Sequence, residues 1–354
     1  MSRMNISADL EQEFKQFTDT KIIGSMKSLK PNDTVAVLDS TLECGGLRGK
    51  AIRHVPIIKP FDQKQPKRGE LQALISKIDV ATLLSPPWDL IPKEVIDGGL
   101  IDLSNLVEDI KSVSRQSIEE AFQELFSGTP PKISYKDTLE TAMDLLTSTY
   151  SFDSDGVTKT RRYKTVPVFN EQSSLIGMLS YVDILREIKE RDNDDEHLPF
   201  LKKTAKDLLK EIEQQKDNIQ TMESDCSIFN ATSLFRRVSF THLPIMTGGF
   251  VTGIIDDLIV NTYAHQALIS AFSTVPLAKI ATPVNLDKNV VSPGDSLSVV
   301  INKFLLNDRP TAVLVGEMHN ERFQMSGIIS YLDILRNFKA TFLSQPSQGS
   351  SVKS

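Results

Sequence analysis

The chain writes one phrase twice. "GMLSYVDILREIKE" runs from Gly177 to Glu190 and "GIISYLDILRNFKA" from Gly327 to Ala340, with eight of the fourteen positions identical. Most of the other positions exchange one apolar residue for another. Self-similarity of this kind marks a repeat architecture, in which each copy is one supersecondary unit that needs a neighbour to cover its apolar face.

Each copy reads as a strand running into a helix. "SLIGMLS" is a short apolar run with β character, and "YVDILREIKE" sets Val182, Leu185 and Ile188 at helical spacing. Upstream lie "KTVPVFNEQS" and "PTAVLVGEMHNERF", each a strand followed by a polar turn. Further upstream, "ISYKDTLETAMDLL" from Ile133 and "VSPGDSLSVVINKF" from Val291 share the form apolar–Ser–x–x–Asp–Thr/Ser–Leu. Asp followed by Thr or Ser there signals a helix start. One unit is therefore strand, helix, strand, strand, helix.

Two weaker copies follow the same template. "LKPNDTVAVLDSTL", "RHVPIIKPF" and "LQALISKIDVATLL" make one, while "SIFNATSLFRRVSF", "THLPIMTGG" and "FVTGIIDDLIVNTYA" make the other. The units fall at 21–84, 125–190, 223–266 and 279–340, with a partly helical connector at 85–124. Residues 191–222 form a charged helical linker in which Leu201, Leu208, Leu209 and Ile212 line one face. The small polar tail 341–354 is expected to be disordered. Residues 149–165 are an insertion in the second unit, and "TGGF" from Thr247 reads as a hairpin turn.

This three-part pattern resembles the CBS domain, and four in tandem resemble two Bateman modules, over about two-thirds of the chain. Among four-CBS proteins it resembles the gamma regulatory subunits of the AMP-activated protein kinase family. The resemblance implies an α+β fold of four CBS repeats paired into two Bateman modules.

Each closing piece carries a hydroxyl and, three residues on, a carboxylate: Ser76 and Asp79, Ser180 and Asp183, Ser330 and Asp333. The resemblance implies that Asp79, Asp183 and Asp333 hold ribose hydroxyls, and that Ser76, Ser180 and Ser330 approach phosphate. A helix N-terminus offers free N–H groups and the positive end of a dipole, which suits phosphate. The same spacing is also a capping box, which starts a helix without any ligand, so both readings stand for any single copy. In the third unit Asp256 takes the Ser position and Ile259 the Asp position. A cap is kept there while a ribose acceptor is lost, leaving at most three competent sites.

Cations recur just before the middle strand of every unit. They are Arg53 and His54, then Arg161, Arg162 and Lys164, then Arg236, Arg237 and His242, then Arg309. By resemblance they face the clefts between paired units and meet phosphate, which Arg binds through planar bidentate donors. Ordinary surface charges at helix ends are the competing account. Adenine is expected near the opening strands, around Leu29, Ile133, Ile228 and Val291, where plain core is the alternative.

The net charge of −6 and pI near 5.5 argue against a nucleic-acid binder. Two distant cysteines, Cys44 and Cys226, build neither a disulfide framework nor a zinc site and fit a reducing compartment. The sequence shows no secretory signal and no apolar run of membrane-spanning length. The expectation is a cytoplasmic protein, with the nucleus also allowed and no membrane partner. No metal-ligand spacing and no phosphate-binding P-loop occurs, so a non-enzyme without a cofactor is expected. Its ligand would be AMP, ADP or ATP and its partner a kinase complex. The competitors are another adenosyl ligand, such as S-adenosylmethionine or a dinucleotide, and a ligand-free scaffold acting on a kinase or phosphatase. Loss of the Asp in the third unit departs from the gamma subunits, which more often lose it in the second.

Overall fold

The computed structural model describes residues 29–33, 54–76, 79–80, 83, 112–113, 115–126, 128–154, 157–191, 198–213, 219–237, 242–256, 259–260, 276–306 and 310–343. The first half holds β1 (His54–Pro60), β2 (Gly69–Ser76), α1 (Ile118–Ala121), α2 (Gln123–Phe126), β3 (Ile133–Ser134), α3 (Leu139–Thr147), β4 (Tyr150–Ser154), β5 (Val157–Arg161), β6 (Thr165–Phe169), β7 (Leu175–Ser180) and α4 (Tyr181–Arg191). The second half holds α5 (Pro199–Lys202), α6 (Ala205–Glu213), β8 (Met222–Glu223), α7 (Ile228–Arg237), β9 (His242–Thr247), β10 (Phe250–Asp256), β11 (Thr282–Pro283), β12 (Val290–Val291), α8 (Leu297–Phe304), β13 (Ala312–His319), β14 (Arg322–Ser330) and α9 (Tyr331–Leu343).

Four sheets share one plan. An opening segment lies parallel to a middle strand, and a closing strand lies antiparallel to it. Leu29 bridges Ile57 beside β1–β2, β3 pairs with β6 beside β7, β8 with β9 beside β10, and β12 with β13 beside β14. Each middle–closing pair also has one register shift, at Ile57/Ile58, Val168/Phe169, Val251/Gly253 and Val315/Gly316. A bulge bends its strand and increases the local twist, so the backbone keeps the repeat where the side chains have diverged. At Gly316 a Cβ would lie 2.2 Å from the Gln324 carbonyl oxygen, so only glycine permits that bulge.

The opening turns show why Asp and a hydroxyl recur. Asp137 Oδ2 accepts from the Ser134 amide at 2.8 Å, and Asp295 Oδ2 from the Ser292 amide at 2.7 Å. The next residues, Thr138 and Ser296, then cap α3 and α8. Each cap satisfies an amide that the helix leaves unpaired. In the third unit the opening strand is Met222–Glu223, and Ile228, expected in that strand, is the first residue of α7. A two-residue strand containing Glu223 carries no period, whereas Ile228 and Ala231 have helical spacing and are buried. Helix α9 also runs on through residues 341–343, into the segment expected to be disordered, with Thr341 Oγ1 donating to the Asn337 carbonyl at 2.8 Å. The insertion in the second unit is a hairpin, with β4 and β5 paired from Tyr150↔Arg161 to Ser154↔Val157. The turn at Gly248 and Gly249, both at positive φ, joins β9 to β10 as the sequence reading expects.

The units pair through their sheets. Ile58 and Leu71 of the first pack with Phe169 and Leu175 of the second. Val251 and Ile254 of the third pack with Val290, Ala312, Leu314 and Phe323 of the fourth. The two modules then meet through helices of the second and fourth units, where α9 lies on α3 and α8 on α4. One core cluster joins units two and four, and it takes in Leu201, Leu208, Leu209 and Ile212 from the charged stretch between the halves. That stretch is thus not a spacer. Leu297 donates its amide to Lys203 at 2.8 Å, and Ala205 to Asp295 at 2.8 Å, which ties α6 to the opening turn of the fourth unit.

Candidate ligand site at the closing turns

In units two and four the closing strand ends at Ser and a helix begins at the next residue. Ser180 directs its amide and Oγ to Asp183 Oδ2 at 2.8 and 2.6 Å, and Ser330 does the same to Asp333 Oδ2 at 2.8 and 2.7 Å. Ser76 meets Asp79 Oδ2 at 2.6 and 2.5 Å. One carboxylate oxygen is therefore engaged in building the turn in all three copies, as a cap requires. In the third unit Asp256 Oδ1 accepts from the Ile259 amide at 2.7 Å, so the cap persists without the second carboxylate. In unit two the other oxygen, Asp183 Oδ1, accepts from Arg186 at 3.3 Å. Asp333 is buried, at 5% exposure, where a carboxylate needs full hydrogen bonding.

The residues expected to meet phosphate are distributed unevenly. His54 and Lys164 are buried at the starts of β1 and β6. His242 Nε2 lies 2.5 Å from Thr311 Oγ1, linking the starts of the middle strands of units three and four. Thr311 holds the place that Lys164 holds in unit two, since their carbonyls accept the amides of Tyr331 and Tyr181 respectively. Arg162 donates from Nε to Thr149 Oγ1 at 3.3 Å. Burial lowers the pKa of its guanidinium and Arg336 adds to that effect, while Tyr331 and Asp333 of unit four oppose it. Arg53 and Arg309 lie outside the described residues, and Arg237 is described only as the last residue of α7.

Two of the three Ser/Asp turns are brought together. Tyr181 and Tyr331, the residues after Ser180 and Ser330, stack with centroids 4.1 Å apart. Across the same boundary between units two and four, Arg336 donates to the Thr147 carbonyl at 3.1 Å, Lys339 pairs with Asp144, and Lys189 donates to Ser298 Oγ. Arg186 and Arg336 were not singled out in the sequence. The signal was the final Arg of the duplicated "DILR", which the first and third units lack. Leu29, Ile133, Ile228 and Val291 are core residues, each at most 5% exposed. No cluster of His, Cys, Asp or Glu suited to a metal occurs among the described residues, and none of their helices is long and apolar enough to cross a membrane.

The family model for the CBS domain matches residues 122–190, the second of the four units. The chain carries an α+β fold of CBS repeats paired into Bateman modules. It overlays on protein MJ1225 from Methanocaldococcus jannaschii, proposed as an archaeal homolog of g-AMPK, with a TM-score of 0.61 and 14% identity, over 92% of this chain and 99% of that one. It also resembles an uncharacterized conserved protein from Pyrococcus horikoshii (TM-score 0.45, 16% identity, 81% and 91% covered). A third likeness is to the CBS domain pair of MJ0100 in complex with 5-methylthioadenosine and S-adenosyl-L-methionine (TM-score 0.31, 22% identity, 39% and 98% covered). These last two overlays are too loose to bear on function. No curated protein matches by sequence.

Proposed function

We propose that the chain is a non-catalytic regulatory protein that binds AMP, ADP or ATP at its closing turns and controls a protein kinase or a similar partner. The supporting observation is the juxtaposition of two Ser/Asp turns, each at a helix N-terminus, with Arg162, Arg186 and Arg336 around them in an acidic chain. Asp79, Asp183 and Asp333 would accept from ribose. Ser76, Ser180 and Ser330 would turn their hydroxyls to phosphate, together with the helix amides. Arg53, His54, Arg162, Lys164, Arg237, His242 and Arg309 would supply positive charge. A nucleotide that favours one arrangement of the modules shifts their equilibrium by its differential affinity, and the partner reads that shift.

A ligand-free scaffold is the second reading, because all three Ser/Asp pairs already serve as caps. Calorimetry against AMP, ADP, ATP and S-adenosylmethionine separates the two, repeated on Asp79→Ala, Asp183→Ala and Asp333→Ala. Binding that falls site by site supports the sensor, and a preference for S-adenosylmethionine replaces the nucleotide. Heatless titrations with all four leave a scaffold.

A further inference from the structure

Between its opening helix and its middle strand unit two carries the hairpin β4–β5, where unit three has only residues 238–241 and unit four only residues 305–311. Among the described residues the hairpin pairs with no other strand, so it does not extend the sheet of its own unit. Its base ends in an aromatic pair. Tyr150, the first residue of β4, meets Tyr163, just past β5, edge-on with ring centroids 5.1 Å apart. The Tyr150 hydroxyl donates to the Leu145 carbonyl of α3 at 3.1 Å, which fixes that ring in turn. Strand β4 also packs on α2, whose Leu125 and Phe126 lie against the core of unit one. The insertion belongs to unit two in sequence and touches unit one in space.

That contact falls beside a closing turn. The ring centroids of Tyr163 and His54 lie 6.5 Å apart with planes inclined by 49°, within the range of a favourable aromatic contact. Both residues are buried. His54 opens β1 directly opposite Ser76, and directly opposed residues of antiparallel strands direct their side chains to one face. Ser76 is the residue whose hydroxyl donates to Asp79 Oδ2. The imidazole therefore stands on the Ser76 face of the sheet, with Tyr163 against it. The same register places His242 opposite Asp256 in unit three. There the histidine is held by another group, with Nε2 lying 2.5 Å from Thr311 Oγ1 of unit four. In each module the histidine of the first unit is thus steadied by the second unit, through aromatic rings in one case and a hydroxyl in the other.

We propose that Tyr163 and Tyr150 are positioning residues for the ligand site of unit one, holding the His54 imidazole where a phosphate beside Ser76 can meet it. This rests on the sensor reading of the closing turns. A ring without such support has two side-chain bonds to turn about, and ordering it on binding would cost affinity. The test is calorimetry with AMP on the full chain in an Asp183→Ala/Asp333→Ala background, which leaves the turn of unit one to be read. Tyr163→Leu and Tyr150→Leu should each weaken AMP about two- to tenfold, the worth of an aromatic contact. Tyr163→Phe and Tyr150→Phe keep the rings and should bind as the background does. With His54→Ala already in place, Tyr163→Leu and Tyr150→Leu should cost nothing further, because the rings act through the imidazole. Tyr150 is only half-buried, so Tyr150→Leu carries the test if Tyr163→Leu fails to fold. Equal losses with and without His54 would make the rings plain core, and unchanged affinity in Tyr163→Leu and Tyr150→Leu would remove them from the site; either result overturns the proposal. No AMP heat from that background, with Asp79 intact, sinks the sensor reading for unit one and the proposal with it.

Discussion

Tyr181 stacks on Tyr331 with ring centroids 4.1 Å apart and planes inclined by 24°, although 150 residues separate them. Both are almost fully buried. The contact joins the same position of two repeats, so the duplicated phrase touches itself across the boundary between modules.

Truncating one ring leaves the other against a void. Tyr331→Ala is expected to lower unfolding free energy by about 3–5 kcal/mol, the range for large aromatic truncations. Tyr331→Phe should cost far less. Urea denaturation of the two variants measures the difference.

Gly327 faces Leu209 so closely that an added Cβ would lie 2.6 Å from the leucine methyls. Gly327→Ala should therefore destabilise by roughly 1–3 kcal/mol through overpacking. Because the obstacle is a side chain, adding Leu209→Ala should recover part of that loss, giving a favourable coupling in a double-mutant cycle. Additive losses would mean that α6 does not pack on β14.

Thr204 and Asp207 form a reciprocal cap at the start of α6, and its hydrogen bonds lower the Asp207 pKa below its ordinary 3.8. A carboxyl lowered on folding contributes above its unfolded pKa and stops contributing as pH falls through the folded value. The stability difference between the parent and Asp207→Asn should hold from neutrality down to about pH 4 and then shrink. Denaturation midpoints across that range test it.

Tyr150 donates its hydroxyl to the Leu145 carbonyl at 3.1 Å, and burial, then Tyr163, pushes its pKa up to about 12. A phenol raised on folding stabilises the chain fully below pH 10 and loses that contribution as pH climbs toward 12. Ultraviolet titration should show a late-ionising tyrosine that disappears in Tyr150→Phe.

Where pattern and physics coincide, the fold was legible. "SYxDILR" gave a strand, a cap and a helix because Ser180 and Asp183 do their work within four residues of each other. Leu201, Leu208, Leu209 and Ile212 were readable as one buried face because helical period is local. Their partner was not, since nothing near α6 in sequence says that unit four covers it. The opening strand at Met222–Glu223 was missed because two residues carry no period. The site was legible as residue types but not as an assembly. That Arg336 reaches the carbonyl of Thr147 depends on how the modules meet, and sequence spacing holds no record of it.

The shared core of units two and four has a consequence for biosynthesis. The face of α4 that carries Tyr181 leaves the ribosome well before its cover exists, since Tyr331 is made 150 residues later. At roughly 5–20 residues per second that interval is about 8–30 seconds. For that time the nascent first half exposes an apolar helix face that its own closing partner cannot yet reach. A chaperone holding that face, or a pause in translation after the linker, would alter the yield of folded protein without touching any contact of the finished molecule.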